Sequence, residues 1–179
     1  METKSSTFKS IFPVGIILAI IMTLYSSILL VMGVHEGPLS WVSWVILICG
    51  IFYGTKRYRD GECKGYISYG TALKSSILIV LIAAVFLSLF ILIYSSVEPS
   101  FQQTILDNTR QKMEEKGGMS DEQIEMSLKY TKMFTTPVMM GIWTLVMYML
   151  FGLILSLIIA AIVKKDNPNP FAEIVNQTV

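Results

Sequence analysis

The chain has 179 residues, of which 53% are hydrophobic and 15% are charged, and its formal net charge is +1. Soluble domains carry about 25% charged residues, so this composition excludes an ordinary soluble globular domain. The charges are also segregated, because residues 10–35, 37–55, 75–97 and 133–163 contain no Asp, Glu, Lys or Arg. A bilayer core requires about 20 apolar residues in helical form. The four runs therefore predict four transmembrane helices, and a very apolar soluble bundle is the alternative.

We predict an all-α, polytopic membrane protein in which residues 1–179 form one four-helix membrane domain. An extracytoplasmic amphipathic helical hairpin is predicted between helices 3 and 4. The predicted bounds are about 11–34, 39–55, 70–96 and 137–163 for the helices, 98–134 for the hairpin and 164–179 for a cytoplasmic tail. The densest apolar part of the second run is short enough to suggest a re-entrant hairpin, but the charge distribution favours a full crossing.

Basic residues indicate the orientation of the helices. With four crossings, one side of the membrane holds Lys4, Lys9, Lys56, Arg57, Arg59, Lys64, Lys74, Lys164 and Lys165. The connection 97–136 has five basic and seven acidic residues. Because Lys and Arg are enriched in cytoplasmic loops, both termini are expected in the cytoplasm. The first helix is expected to remain as an anchor, since its apolar stretch exceeds that of a signal peptide.

The stretch 54–74 is predicted to be a basic cytoplasmic loop between helices 2 and 3. Its candidate contact residues are Arg57, Arg59, Lys64 and Lys74. Each basic side chain near an anionic membrane surface contributes about 1 kcal/mol of attraction. The loop therefore either anchors and orients the protein at the inner leaflet or docks a cytoplasmic partner.

The connection between helices 3 and 4 is the longest segment predicted to lie outside the bilayer. Phe101 and Ile105 begin an apolar stripe at four-residue spacing, which is typical of an amphipathic helix. Ser120 with Gln123 has the pattern of a capping box and predicts a second helix. The hairpin either covers the mouth of the bundle or offers Phe101 and Ile105 to a partner or to lipid.

Helix 4 carries a stripe of small residues. Gly152, Ser156 and Ala160 follow one another at intervals of four, so they fall on one face. Small residues let transmembrane helices approach closely. We therefore predict that this face packs against another helix of the bundle.

Motifs of familiar catalytic and nucleotide sites are missing from the sequence, and so are metal-ligand spacings. With His35 as the one histidine, a histidine-ligated metal cluster is excluded, and the two cysteines are too far apart to form a metal-binding pair. Transporters commonly carry an ionisable group at mid-membrane. None is predicted in these helices, which counts against transport. The argument does not apply to a pore lined by Ser, Thr and backbone groups. The acidic residues of the hairpin follow no calcium-loop spacing. We expect no cofactor, no metal, no catalytic residue and no nucleic-acid partner.

Several segments together resemble a known family, namely residues 54–59, 65–74, Pro99, 113–120 and 152–165. In them the chain is similar to the small Bacteroidota membrane proteins grouped as domain of unknown function 4199. The resemblance extends over most of the chain and implies an integral protein of the bacterial inner (cytoplasmic) membrane. It supplies no activity, substrate or catalytic residue.

Three classes of function follow from these features. The first is a non-enzymatic accessory or scaffold protein that contacts partners or lipid through residues 54–74 and 97–136. The second is a small channel or solute transporter, and the third is a membrane-embedded enzyme. The expected partners are the lipid bilayer with its anionic headgroups and either another membrane protein or a second copy of the chain.

Overall fold

The computed structural model of the protein describes residues 3–33 and 37–168. Over these residues every regular element is an α-helix: α1 Thr3–Val31, α2 Pro38–Gly61, α3 Tyr69–Val97, α4 Ser100–Lys116, α5 Asp121–Phe134 and α6 Pro137–Val163. The all-α prediction is confirmed for this part of the chain. His35 and the tail beyond residue 168 lie outside the described residues.

Four of the helices, α1, α2, α3 and α6, are long and apolar enough to cross a membrane. Their outward faces carry large apolar side chains, such as Leu24, Ile154 and Ile162, which are 60%, 55% and 64% exposed. Soluble monomers rarely expose apolar patches of more than a few hundred Å², whereas such surfaces are matched by lipid hydrocarbon. The chain is therefore a multi-pass membrane protein, as the four uncharged runs predict.

The first helix begins earlier than the predicted residue 11. α1 starts at Thr3, so Pro13 lies inside the helix rather than in its first turn. A tertiary contact holds the added turns, because the Thr7 hydroxyl lies 2.7 Å from the hydroxyl of Tyr58 in α2. Membrane helices tolerate an internal proline because their surroundings re-satisfy the freed backbone groups.

The second helix ends later than the predicted residue 55. α2 continues to Gly61, so the predicted basic loop over 54–74 is reduced to a connection of residues 62–68. The buried face of α2 consists of Leu47, Ile51, Gly54, Thr55 and Tyr58. This buried stripe continues beyond residue 55, where the uncharged run ends. Packing of the stripe therefore extends the helix into the charged segment that follows.

The described chain forms two compact units, and α3 and α6 contribute residues to both. The first unit comprises the residues up to Ala83 and those from Met149 onward. Its helices approach closely at glycines, where there is no side chain to separate them. A Cβ on Gly50 would lie 2.3 Å from Cδ1 of Leu18 in α1, and one on Gly54 would lie 2.7 Å from Cδ1 of Ile79 in α3.

The second unit comprises residues Ala84–Tyr148, which include the α4–α5 hairpin. Within it α3 and α6 are joined by a hydrogen bond of 2.8 Å, which the Ser88 hydroxyl donates to the carbonyl of Gly141. A Cβ on Gly141 would lie 3.3 Å from the Cβ of Leu92, so these two helices are in close contact. Side-chain hydroxyls that bond across helices in this way contribute about 0.6–2 kcal/mol in membranes.

Candidate functional site

The two arginines at the basic end of α2 differ in their exposure to the surroundings. Arg57 is exposed, whereas the side chain of Arg59 is 18% exposed and points into the protein. The Arg59 guanidinium donates through Nη1 to the carbonyl of Val163 at 3.1 Å and through Nε to Asp60 Oδ1 at 2.7 Å. A cation at the C-terminal end of a helix satisfies a free carbonyl and complements the helix dipole. Arg59 therefore holds the end of α6, and Arg57 is the arginine available for external contacts.

The short connection between α2 and α3 is tied to the segment that follows α6. Ile67 and Lys165 exchange two backbone hydrogen bonds of 2.8 and 2.9 Å in an antiparallel bridge. The Lys165 ammonium also lies 5.3 Å from the centre of the Tyr66 ring, within cation–π range. This clip brings together residues about 100 positions apart.

An open hollow of ≈ 510 Å³ adjoins the clip, and its walls include Glu62, Cys63, Lys64, Lys165 and Asp166. The walls carry both signs of charge, so the hollow has no dominant field for one kind of ion. Partial burial, its largest influence, raises the pKa of the Cys63 thiol, while a hydrogen bond from the Tyr58 hydroxyl lowers it. Cys63 is therefore kept protonated and is a weak nucleophile at neutral pH.

The four predicted basic contact residues do not form a single patch. Arg57 and Lys74 are exposed on α2 and α3, and Lys64 is exposed in the connection between them, with a positive φ of 52°. Arg59 is engaged within the chain. The exposed members of the predicted set are therefore Arg57, Lys64 and Lys74, which are together called the basic surface below.

The α4–α5 hairpin is built by local signals in the sequence. Gly117 ends α4 with a positive φ of 64°, which glycine adopts without a steric penalty. The Ser120 side chain accepts from the backbone N–H of Gln123, whose side chain accepts from the backbone of Ser120. The predicted capping box is therefore confirmed, and it satisfies two otherwise free N–H groups of α5.

The predicted contact residues of the hairpin are partly buried. The Phe101 ring packs edge-on against Tyr94 of α3, with 5.2 Å between the ring centres, and Ile105 is half-buried. The two hairpin helices contact each other, with Arg110 lying 3.5 Å from Glu125, and Ile124 of α5 is 6% exposed. Phe101 and Ile105 are thus partly covered by the protein itself, and their role in external contacts stays a prediction.

A different stripe of the hairpin is open. Met126, Tyr130 and Met133 follow one another at four- and three-residue spacing on α5 and are 57%, 59% and 63% exposed. Their periodicity was detectable in the sequence, but only tertiary packing could show that this stripe faces outward while Ile124 faces α4. An exposed Met- and Tyr-rich helix face is typical of an adaptable contact surface.

The small-residue face of α6 packs against α3. A Cβ on Gly152 would lie 2.2 Å from Cγ1 of Val80, and Ser156 and Ala160 are fully buried. The antiparallel contacts Gly152–Val80 and Lys165–Ile67 define a common register. Ser156 lies one turn after Gly152 in α6. In this register it is at the same height in the bundle as Ser76 of α3, which is also buried.

Three buried hydroxyls thus occur at one level of the first unit. The hydroxyls of Thr55 and Ser76 lie 2.8 Å apart, so α2 and α3 share a hydrogen bond. The Ser156 hydroxyl is buried and has no hydrogen-bond partner among the residues that the structure describes. Leaving a buried hydroxyl unpaired costs about 1–3 kcal/mol. This cluster carries no charge and no base that could activate a nucleophile.

The described part of the chain contains no group of three or more His, Cys, Asp or Glu side chains placed to share a metal ion. Exposed features of this part of the chain include the basic surface of Arg57, Lys64 and Lys74 and the apolar stripe of Met126, Tyr130 and Met133.

Comparison with known proteins adds one similarity. A family model described as "Protein of unknown function (DUF4199)" matches residues 13–165. No curated protein and no solved structure matches the chain. The matched range includes both exposed surfaces and most of each transmembrane helix. The family resemblance is therefore confirmed, and the chain belongs to the family of proteins of unknown function designated DUF4199.

Proposed function

We propose that this protein is a non-enzymatic accessory or scaffold protein of the bacterial inner membrane, with both termini in the cytoplasm. The observation that carries the proposal is the exposed stripe of Met126, Tyr130 and Met133 on a helix outside the four apolar spans. Apolar side chains exposed to water are favourable only when another surface covers them. The partner is another membrane protein or a second copy of the chain.

The basic surface of Arg57, Lys64 and Lys74 has a supporting role in this proposal. These side chains are exposed near the inner ends of α2 and α3 and attract anionic headgroups. This attraction holds the protein in the orientation expected from the excess of basic residues on that side. Arg59 contributes differently, because it stabilises the end of α6.

Orientation is tested by cysteine labelling. Asn108→Cys and Met119→Cys, each in a Cys49→Ser, Cys63→Ser background, should react with a membrane-impermeant maleimide in intact spheroplasts, because both sites are exposed on the hairpin. Cys63 alone should react only after permeabilisation. Its raised pKa slows the reaction, so the permeabilised sample is labelled at pH 8.5 for longer. Labelling of Cys63 in intact cells, with 108 and 119 protected, would reverse the proposed topology.

The contact role is tested with a photo-crosslinking amino acid placed at Tyr130 and activated in living cells. We expect an adduct of defined mass, whether with another protein or with a second copy, because position 130 lies in the middle of the stripe. Met126→Asp with Met133→Asp should reduce the adduct at least tenfold, since two buried charges oppose the contact. Asn108→Asp with Gln111→Asp adds the same charge to exposed positions of α4 and should leave the adduct unchanged.

One observation favours a second candidate function, which is solute passage. The hydroxyls of Thr55, Ser76 and Ser156 lie at one level inside the first unit, and polar groups inside a bundle can line a path. The two functions are separated by reconstituting the purified protein in liposomes. Movement of an ion or small solute above that of empty vesicles, with no crosslinked adduct in cells, would replace the contact role with transport.

A further inference from the structure

An apolar groove of ≈ 810 Å³ lies in the second unit, where the C-terminal parts of α3 and α5 meet the first turns of α4 and α6. Its walls are mainly aromatic and thioether side chains, including Phe101, Phe134, Met139, Met140 and Trp143. The volume falls within the range of about 300–1,000 Å³ that is usual for sites of small ligands. Neither the hairpin stripe nor the basic surface uses this groove.

The open side of the groove is made by a helix that crosses the membrane. Met139, Ile142 and Trp143 of α6 are 46%, 50% and 61% exposed. Exposed side chains of a spanning helix contact the molecules that surround the helix in the bilayer. These residues lie in the first two turns of α6, and Trp is enriched where acyl chains meet the headgroups. The groove is therefore accessible to the acyl chains of lipids.

The chemistry of the walls favours a flexible hydrocarbon chain over a second helix. Close packing of membrane helices uses small residues, as the face of Gly152 and Ala160 does against α3. The groove instead presents bulky rings and two methionines, Met139 and Met140, whose unbranched side chains adapt to irregular apolar shapes. A bilayer lipid supplies such a chain at high local concentration.

The buried hydroxyl of the groove, that of Thr135, is already hydrogen-bonded within the protein. The Thr135 hydroxyl, on a residue that is 9% exposed, donates to the carbonyl of Thr131 at 3.0 Å. It also accepts from Gln102 Nε2 at 3.3 Å. Because these internal bonds satisfy the hydroxyl, a polar solute would gain little there, whereas an acyl chain loses no hydrogen bond on entering.

We propose that the groove between Phe101, Phe134, Met140 and Trp143 binds one acyl chain of a membrane phospholipid. Binding covers the exposed apolar surface at the start of α6 and braces it against the beginning of α4. The proposal is independent of the contact role of the α5 stripe, because the two surfaces use different residues.

The first test uses vesicles of phosphatidylethanolamine and phosphatidylglycerol doped with a phosphatidylethanolamine that carries a diazirine in one acyl chain. After irradiation of the reconstituted protein, we expect labelling of the peptide containing Met139 and Trp143 to exceed that of the lipid-facing peptide around Ile154 and Ile158 at least fivefold. Equal labelling of the two peptides would show ordinary contact with bulk lipid and would overturn the proposal.

A matched pair of variants locates the label. Met140→Trp fills the groove and should lower labelling there at least fivefold, whereas Val146→Trp adds the same ring to an exposed position of α6 outside the lining and should leave it unchanged. An undiminished label in Met140→Trp would contradict the proposal.

A second measurement does not depend on filling the groove. In a Trp41→Phe, Trp44→Phe background, Trp143 is the remaining tryptophan. The protein is reconstituted with a phospholipid brominated in one acyl chain and then extracted into detergent, which removes loosely held lipid. If one chain stays in the groove, at least half of the quenching of Trp143 should persist after extraction. Full recovery of the fluorescence would show that no lipid is retained.

Discussion

Replacing Gly152 with leucine should lower the free energy of unfolding by about 3 kcal/mol, at the upper end of the range for overpacked sites. A Cβ at this position would lie 2.2 Å from Cγ1, 3.0 Å from Cγ2 and 3.2 Å from Cβ of Val80. Val80 is short and β-branched, so it cannot rotate away from the added carbon. Relief therefore requires α6 to move away from α3, which removes contacts along the whole small-residue face.

The measurement is the unfolding midpoint of the purified protein in detergent, and the matched control is Gly70→Leu. A Cβ on Gly70 would meet nothing within 4 Å, although Gly70 also lies in a transmembrane helix. Leucine there changes helix propensity by about 1 kcal/mol at most, in the stabilising direction. Equal midpoints for Gly152→Leu and Gly70→Leu would show that the face of α6 around residue 152 is not packed.

Should Gly152→Leu fail to insert, the same contact is measured with smaller changes. Gly152→Ala still places a Cβ against the methyl groups of Val80. Val80→Ala removes both methyl groups and restores the space. We therefore expect the loss from Gly152→Ala to be smaller in the Val80→Ala background than in the unchanged protein, a coupling that two independent sites would not show.

Replacing Thr55 with valine should lower the free energy of unfolding by about 0.6–2 kcal/mol, the usual contribution of a hydrogen bond between membrane helices. The Thr55 and Ser76 hydroxyls are both fully buried and lie 2.8 Å apart. Valine preserves the shape of threonine but leaves the Ser76 hydroxyl without this partner. Adding Ser76→Ala should recover part of the loss, because replacing both partners by apolar groups is nearly neutral.

Ser156→Ala is the control for this second experiment. It also removes one buried hydroxyl, at the level of Ser76, but that hydroxyl has no partner to lose. Its removal should therefore leave the unfolding midpoint unchanged or raise it. A loss of stability in Ser156→Ala as large as in Thr55→Val would mean that the Ser156 hydroxyl is bonded in the membrane, for example by a buried water or solute, and would favour the transport alternative.

Composition and local sequence signals were sufficient to predict which segments form the long helices. The four uncharged runs predict the four apolar spans because the requirement for about 20 apolar residues is a property of each segment alone. The capping box of Ser120 and the bounds 137–163 were also predicted correctly, because capping bonds and hydrophobic runs are local properties of the chain. The family resemblance, carried by short motifs, was equally readable and is matched over residues 13–165.

Long-range packing determined some helix bounds and the surroundings of single residues, which sequence patterns could not predict. α1 begins earlier and α2 ends later than predicted because the two helices contact each other beyond the uncharged runs, where the Thr7 and Tyr58 hydroxyls lie 2.7 Å apart. The predicted basic loop is short for the same reason. In the sequence, Arg59 and Arg57 look alike as exposed basic residues. The structure distinguishes them, because Arg59 bonds to the carbonyl of Val163, 104 positions away, at the end of α6. The edge-on packing of Phe101 against Tyr94 of α3 was likewise not readable from the spacing of the hairpin residues.

The sequence by itself determined which segments cross the membrane and where the helices of the hairpin begin and end. It also determined the small-residue spacing on α6, because helical periodicity is local. Only the tertiary structure decided that this spacing meets Val80, that Met126 and Tyr130 form the open stripe, and that a groove lies beside Trp143. The physical reason is that the face a helical residue presents depends on which distant helix packs beside it, and local propensity carries no information about that choice.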